Sequence, residues 1–291
     1  MTKEESMRIS AEIAGMIARD TPYLDYTQEQ VEEYAKRHPL EADPEKGYVM
    51  RKFCEVTHLF ELAGKEYTDK LLAQAKRYTK QEYYSDPFLQ NIHVCDALLG
   101  DFLLMNAEYG RGEFFQYDMP DLESDLVVPY LGFCSESVTF PAVYEKEMPW
   151  VSVCPSEINS MNREIGKAEG DCLILGLGLG YYPYRISFSE KVKSITIIEL
   201  RQEICDLFTR YILPQFPYKD KVHIIKSDAY DYLDKVTPEQ YDFCFADIWE
   251  GQEDGAFHYK RLKPYEKKLP NTTFTYWIEK EIKYYLSHDP S

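Results

Sequence analysis

Long apolar runs are missing from this sequence: no stretch reaches the roughly 18 to 20 residues that a membrane-spanning helix needs. The opening MTKEESMRIS has acids and hydroxyls where a signal peptide carries a basic end and an apolar stretch. The expected location is therefore the cytoplasm, with no membrane partner. Basic residues are also scarce, with 33 Lys plus Arg against 50 Asp plus Glu and a formal net charge of −17. The shortage is uneven. Residues 1–160 hold 15 basic and 29 acidic side chains, and residues 161–291 hold 18 and 21. Between Gln81 and Phe140, eleven acids accompany a single base, Arg111. Such a surface repels phosphate backbones and argues against nucleic acid as the main partner; it suits a cationic ligand such as a polyamine, or plain solubility. Metal-ligand and disulfide spacings are absent as well. The seven cysteines stand singly without a CxxC, and the six histidines form no HExxH pair. Neither a metal site nor a disulfide framework is expected, and a reducing compartment fits.

What is present is an ordinary globular mix, 44% apolar and 29% charged over 291 residues, enough for one large or two modest domains. The first hundred residues read as helical. Thr27-Gln28-Glu29-Gln30 is a capping box opening a helix that ends before Pro39. Val49, Phe53, Val56 and Phe60 fall on one helical face, and Asp86-Pro87 caps a segment in which Phe88, Ile92, Cys95, Leu99 and Phe102 repeat that spacing. From Arg111 the texture changes to short aromatic and β-branched stretches: Glu113–Tyr117, Ser137–Phe140 and Trp150–Val153. Ser156 then caps a helix over Glu157–Ile165. Strands follow at Cys172–Leu175, Ile195–Glu199, Val222–Lys226, Asp242–Ala246 and Thr272–Ile278, with a crossover helix Arg201–Ile212 among the connections. The expected fold is α/β: a Rossmann-like, mainly parallel sheet with helices on both faces, preceded by a mostly helical domain with a few antiparallel strands. The expected divisions are 1–110 helical, 111–155 a strand-and-loop linker or lid, and 156–291 the Rossmann-like domain.

The sharpest feature is Leu173-Ile174-Leu175-Gly176-Leu177-Gly178-Leu179-Gly180-Tyr181, an apolar strand running into three alternate glycines. Glycine lets the chain turn tightly and brings a ligand against main-chain N–H groups. The next strand ends in Glu199, nineteen residues after Gly180, where a carboxylate can accept from both hydroxyls of a ribose. The dinucleotide pattern G-x-G-x-x-G is not met: its last position falls on Tyr181 or Pro183. The bulky Tyr181-Tyr182-Pro183-Tyr184 also covers the helix start where a pyrophosphate would sit. NAD is the weaker candidate.

Gly176-x-Gly178-x-Gly180, Glu199, Asp228-Ala229 and Asp247, in this order, resemble the successive motifs of class I S-adenosylmethionine-dependent methyltransferases. They resemble still more the spermidine-synthase branch, which uses the same fold with decarboxylated S-adenosylmethionine. The likeness covers about residues 165–285. It implies that the glycine turn lies against the methionine or propylamine part, that Glu199 with the following Leu200 lines the ribose side, and that Asp228 and Ala229 meet the adenine. Tyr241–Gly251 resembles the aminopropyltransferase segment with two acids three apart, here Asp247 and Glu250. By that likeness Asp247 helps deprotonate an attacking amine, and the pair gathers a cationic substrate. Trp249 is a candidate for packing on a cation or flat substrate, or for the core. Three positions depart from the pattern: Ile174 where most methyltransferases carry an acid, Leu179 where spermidine synthases carry an Asp, and Gly251 where a proline usually follows the two acids. Glu157 or Asp247 is the candidate replacement for holding the ammonium.

The resulting expectation is an S-adenosylmethionine-dependent methyltransferase acting on a small molecule. The alternatives are an aminopropyltransfer enzyme acting on a cationic amine and a non-catalytic nucleoside-binding protein of the same fold. The oligomeric state is left open.

Overall fold

Strands that alternate with helices pair in parallel, because each crossover brings the chain back to start its next strand in the same direction. The computed structural model of the protein, which describes residues 1–20 and 22–288, contains such a sheet. Its strands are β1 (Gly170–Leu175), β2 (Val192–Glu199), β3 (Val222–Lys226), β4 (Phe243–Ala246) and β5 (Thr273–Tyr276). They are all parallel, in the order β3-β2-β1-β4-β5. The accompanying helices are α1 (Pro155–Ile165), α2 (Tyr181–Ser187), α3 (Gln202–Leu207), α4 (Ala229–Leu233), α5 (Gln252–Lys268) and α6 (Glu279–His288). This is the Rossmann-like α/β fold. Leu173, Leu175, Ile198, Cys244 and Ala246 are all buried, as strands covered on both faces require. The strand order reverses between β1 and β4, which opens a crevice at their carboxyl ends.

Some local expectations shift. α1 begins at Pro155, with Cys154 at its cap, so Ser156 lies inside the helix; proline suits a first turn whose N–H is unpaired anyway. The Arg201–Ile212 helix is α3 followed by a π-helical turn, Phe208–Ile212, which buries Ile204, Leu207 and Phe208 and leaves Tyr211 partly covered.

The chain forms two compact units, Met1–Ser85 with Glu108–Thr139, and Asp86–Ala107 with Phe140–Ser291. In the first, helices Lys3–Asp20, Gln28–Arg37, Pro44–Val56 and Gly64–Gln74 accompany strands Lys76–Tyr78, Tyr130–Cys134 and Phe114–Asp118, which lie in that order. Met50, Phe53, Tyr67, Leu71, Phe114 and Phe133 fill its core. The Thr27 capping box forms, with Gln30 returning the bond. Val56 does not join the core face: it is 52% exposed, because the helix ends there and His58 turns left-handed at φ 56° before Phe60.

In the second unit, Asp86 and Pro87 cap and open a helix that stops at Asn91. The Phe88–Phe102 stripe is therefore not one helix. Ala97–Leu99 and the strand from Phe102 form an antiparallel hairpin around Gly100, at φ 59°, so Leu99 and Phe102 are cross-strand partners rather than neighbours on a helical face. These strands and the Val138–Glu145 and Met148–Ser152 strands make a four-stranded sheet in chain order.

Candidate functional site

The candidate site is built on the turn that leaves β1. Gly176 has φ 94°, and its N–H donates to Ile198 O at 2.9 Å. A Cβ there would lie 2.0 Å from the carbonyl oxygen of Asp247, so only glycine lets the ends of β1 and β4 approach this closely. Gly180, at φ 77°, has an aromatic wall behind it: a Cβ would lie 2.1 Å from the Phe208 ring. Gly178 differs: the nearest atom to a Cβ there is a methyl of Val151 at 3.4 Å, an ordinary contact distance, and the residue is partly exposed.

Glu199, at the end of β2, is 5% exposed. Its two carboxylate oxygens accept from the N–H of Leu177 at 3.1 Å and the N–H of Arg201 at 2.7 Å. Burial raises its proton affinity, while the Arg201, Leu177 and Leu200 N–H groups oppose that rise. Glu199 thus braces the glycine turn from below, and each oxygen retains a further lone pair. Leu200 beside it is 57% exposed, an apolar surface at the rim. Asp228 caps α4: its Oδ1 accepts from the N–H groups of Tyr230 at 2.8 Å and Asp231 at 3.1 Å, and Oδ2 has no partner among the described residues. Ala229 is buried beside it.

Asp247 follows β4, its N–H donating to Leu175 O at 2.9 Å. Its carboxyl is partly buried and drawn well above the usual carboxylate range, first by desolvation and then by the charge of Glu157. Glu157, in the first turn of α1, is itself pushed up to about 7 by burial. Among the described residues, neither carboxyl has a hydrogen-bond or ion-pair partner. Arg201, the base that follows Glu199 closely in sequence, has its guanidinium on Glu145 at 2.6 Å. The fold thus brings together two uncompensated acids at the crevice beside the glycine turn.

Other expected residues fall elsewhere. Glu250 is exposed, and its N–H is held by Asp254 Oδ2 at 2.8 Å, so the acid whose charge acts on Asp247 is Glu157 and not the one three residues on. Trp249 is 7% exposed and sits in the core with Tyr276 and His258, its indole N–H unpaired; it has no free face for a substrate. Ile174 and Leu179 are buried apolar residues. Tyr181, Tyr182 and Tyr184 are buried too, with Tyr182 stacked on Phe245 and Tyr184 edge-on to Phe88. They pack in the core of this unit. The sequence reading missed Val151 and Phe208, which flank the turn, and Asp86, which accepts from Tyr181 Oη at 2.8 Å and Arg185 at 2.6 Å to fix α2. Their partners lie far away in the chain; the cap at Asp86 has a local pattern, but its bonds to Tyr181 and Arg185 do not.

No family model matches the chain, and no curated protein does. Among solved structures, it is similar to the spermidine synthase of Thermotoga maritima, at 13% identity over 42% of this chain and 49% of that one, with a TM-score of 0.31. A spermidine synthase in complex with the transition-state analogue AdoDATO matches at 12% identity over 48% and 52%, with a TM-score of 0.34. The precorrin 8W decarboxylase of Methanobacterium thermoautotrophicum matches at 15% identity over 45% and 68%, with a TM-score of 0.33. The chain spans about half the length of the two spermidine synthases.

Proposed function

We propose that the protein is a transferase that binds a decarboxylated S-adenosylmethionine-type sulfonium and a cationic amine, and joins the amine to the aminopropyl carbon. The observation that carries this reading is the Glu157–Asp247 pair, two desolvated acids with no basic partner among the described residues, beside the glycine turn. Such a pair favours an entering ammonium and disfavours an anion. The residues fit a nucleoside: a partly exposed Gly178, free lone pairs on Glu199, and the exposed apolar Leu200. They fit a cationic tail better than an amino-acid tail, because the carboxylate of S-adenosylmethionine would meet the two acids with Arg201 already engaged by Glu145. For this reason methyl transfer, favoured from the sequence, becomes the second reading.

Bound there, the sulfonium supplies an electrophilic carbon whose C–S bond breaks, the electron pair going to sulfur, as a C–N bond forms. The remaining work belongs to the chain. Glu199 holds the turn and accepts from the ribose, and Glu157 neutralises an ammonium. Asp247 takes the proton the amine must lose, its desolvation making it a stronger base than an exposed carboxylate. Calorimetric titration should give tighter binding of the decarboxylated sulfonium than of S-adenosylmethionine, and labelled cosubstrate should pass its aminopropyl group to an amine. In that assay Asp247→Asn should bind nearly normally while turnover falls by about 10² to 10⁴. Tighter binding of S-adenosylmethionine with methyl transfer would reverse the order of the two readings.

A further inference from the structure

A cavity lies within the first unit, between the helices Gln28–Arg37 and Pro44–Val56. It encloses about 430 Å³, within the range of small-molecule sites, and Tyr34, Arg37, His38, Tyr48, Arg51 and Lys52 line it with three acid or amide side chains. Its charge is out of keeping with its surroundings. The unit holds 14 basic and 23 acidic side chains, whereas the cavity gathers Arg37, Arg51 and Lys52 against Glu33 and Glu55. Four of these five cancel locally: Arg37 pairs with Glu33, and Lys52 with Glu55 at 3.1 Å. Arg51 is left over, without a carboxylate partner among the described residues.

Arg51 is also held in place. Its Nε donates to Tyr34 Oη at 2.8 Å, and that hydroxyl donates to Glu41 Oε2 at 3.2 Å. Gly47 leaves room for the network: a Cβ there would lie 2.8 Å from Glu41 Cδ and 3.0 Å from Tyr34 Oη, so one of these side chains would have to shift. With Nε occupied, the two terminal nitrogens of the guanidinium remain as donors, the fork that matches a carboxylate or phosphate. His38 stacks on Tyr34 with ring centroids 4.0 Å apart, and its Nδ1 bonds to Tyr34 O at 3.0 Å, leaving Nε2 open. Tyr48 meets Tyr34 edge-on at 5.9 Å and extends the aromatic wall.

We propose that this cavity is a binding site for a small molecule joining an oxyanion, carboxylate or phosphate, to a flat apolar body, with Arg51 gripping the oxyanion and the Tyr34–His38–Tyr48 wall packing against the body. The site is separate in its residues from the glycine-turn crevice and does not depend on that reading. Benzoate and phenyl phosphate are suitable probes because they share the flat ring and differ in the oxyanion, with acetate and inorganic phosphate as ring-free controls. Chemical-shift titration of the full chain should show saturable binding of at least one aromatic probe at the cavity residues, tighter than its ring-free counterpart. The stronger of the two identifies the oxyanion. Arg51→Lys keeps the charge and loses the fork, and should weaken that binding by about tenfold to a hundredfold, the range for hydrogen bonds to charged groups. Lys52→Gln, at an exposed and already paired lysine, should change it by less. The proposal is overturned if no probe saturates by about 10 mM, beyond the affinity of even weak specific sites. It is also overturned if Arg51→Lys binds as the wild type does, or if Lys52→Gln costs as much as Arg51→Lys.

Discussion

Glu199 braces the fold, and in the proposed reading it also meets the ligand. Its carboxylate is buried, and both oxygens are occupied by main-chain N–H groups, one from the glycine turn and one from its own loop. Glu199→Gln replaces one acceptor by an NH₂ that must face a donor. The expected loss of stability is about 1–3 kcal/mol, the cost of a buried donor left unmatched, measured by urea denaturation. Nucleoside affinity should fall with it. Glu157 gives the opposite sign. Its proton affinity in the folded chain is raised from 4.5 to about 7, so the folded state holds a proton that the unfolded state has released in that interval. Stability is therefore unaffected below the lower value, falls as pH rises between the two, and stays reduced above. Glu157→Gln should stabilise the protein by about 1–3 kcal/mol near pH 8 and leave it unchanged near pH 4, by denaturation at the two pH values. No gain at the higher pH would mean that the carboxyl is solvated in solution.

The β1–turn–α2 element was the most legible part of the chain, because strand, glycines and the acid ending β2 lie within thirty residues and have local causes. What each glycine is for was not legible. Gly176 and Gly180 are demanded by atoms from distant segments, Asp247 and Phe208, whereas a Cβ at Gly178 would meet only a Val151 methyl at contact distance. The two kinds should separate on mutation. Gly180→Ala combines left-handed strain with a clash against Phe208 and should cost about 2–4 kcal/mol of stability by thermal or urea unfolding. Gly178→Ala meets only a methyl at 3.4 Å and should cost about 1–2 kcal/mol while weakening nucleoside binding disproportionately in calorimetry. Equal losses of stability would make the turn structural throughout. The Phe88–Phe102 stripe carries the complementary lesson. A spacing of three and four satisfies a helix, yet Gly100 at positive φ lets the same residues pair across a hairpin.

Charge acts over longer distances than these contacts. With a net charge of −17, the protein attracts cations and repels anions before any specific contact forms. A cationic acceptor should therefore show a KM that rises with ionic strength, since exposed charges are screened over about 8 Å at physiological salt. Steady-state kinetics at low and high salt measures this. A salt-insensitive KM would assign the excess acids to solubility. The cavity around Arg51 should behave in reverse, because an anion reaches it against the mean field of the protein.

The Rossmann-like sheet could be read from the sequence alone because parallel strands buried on both faces are written as short apolar runs separated by amphipathic segments, a one-dimensional signal. The order of the motifs and the acid ending β2 are local in the same way. The partner of Asp247 was not local. Sequence spacing pointed to Glu250, three residues on, but the loop after β4 leaves that acid in solvent, while α1 delivers Glu157 from ninety residues earlier. The burial of Trp249 likewise depends on α5 and β5 closing around it. Which side chains meet, and which of them lose water in doing so, is settled by packing between elements remote in the chain, and that desolvation raises the proton affinity of two otherwise ordinary acids.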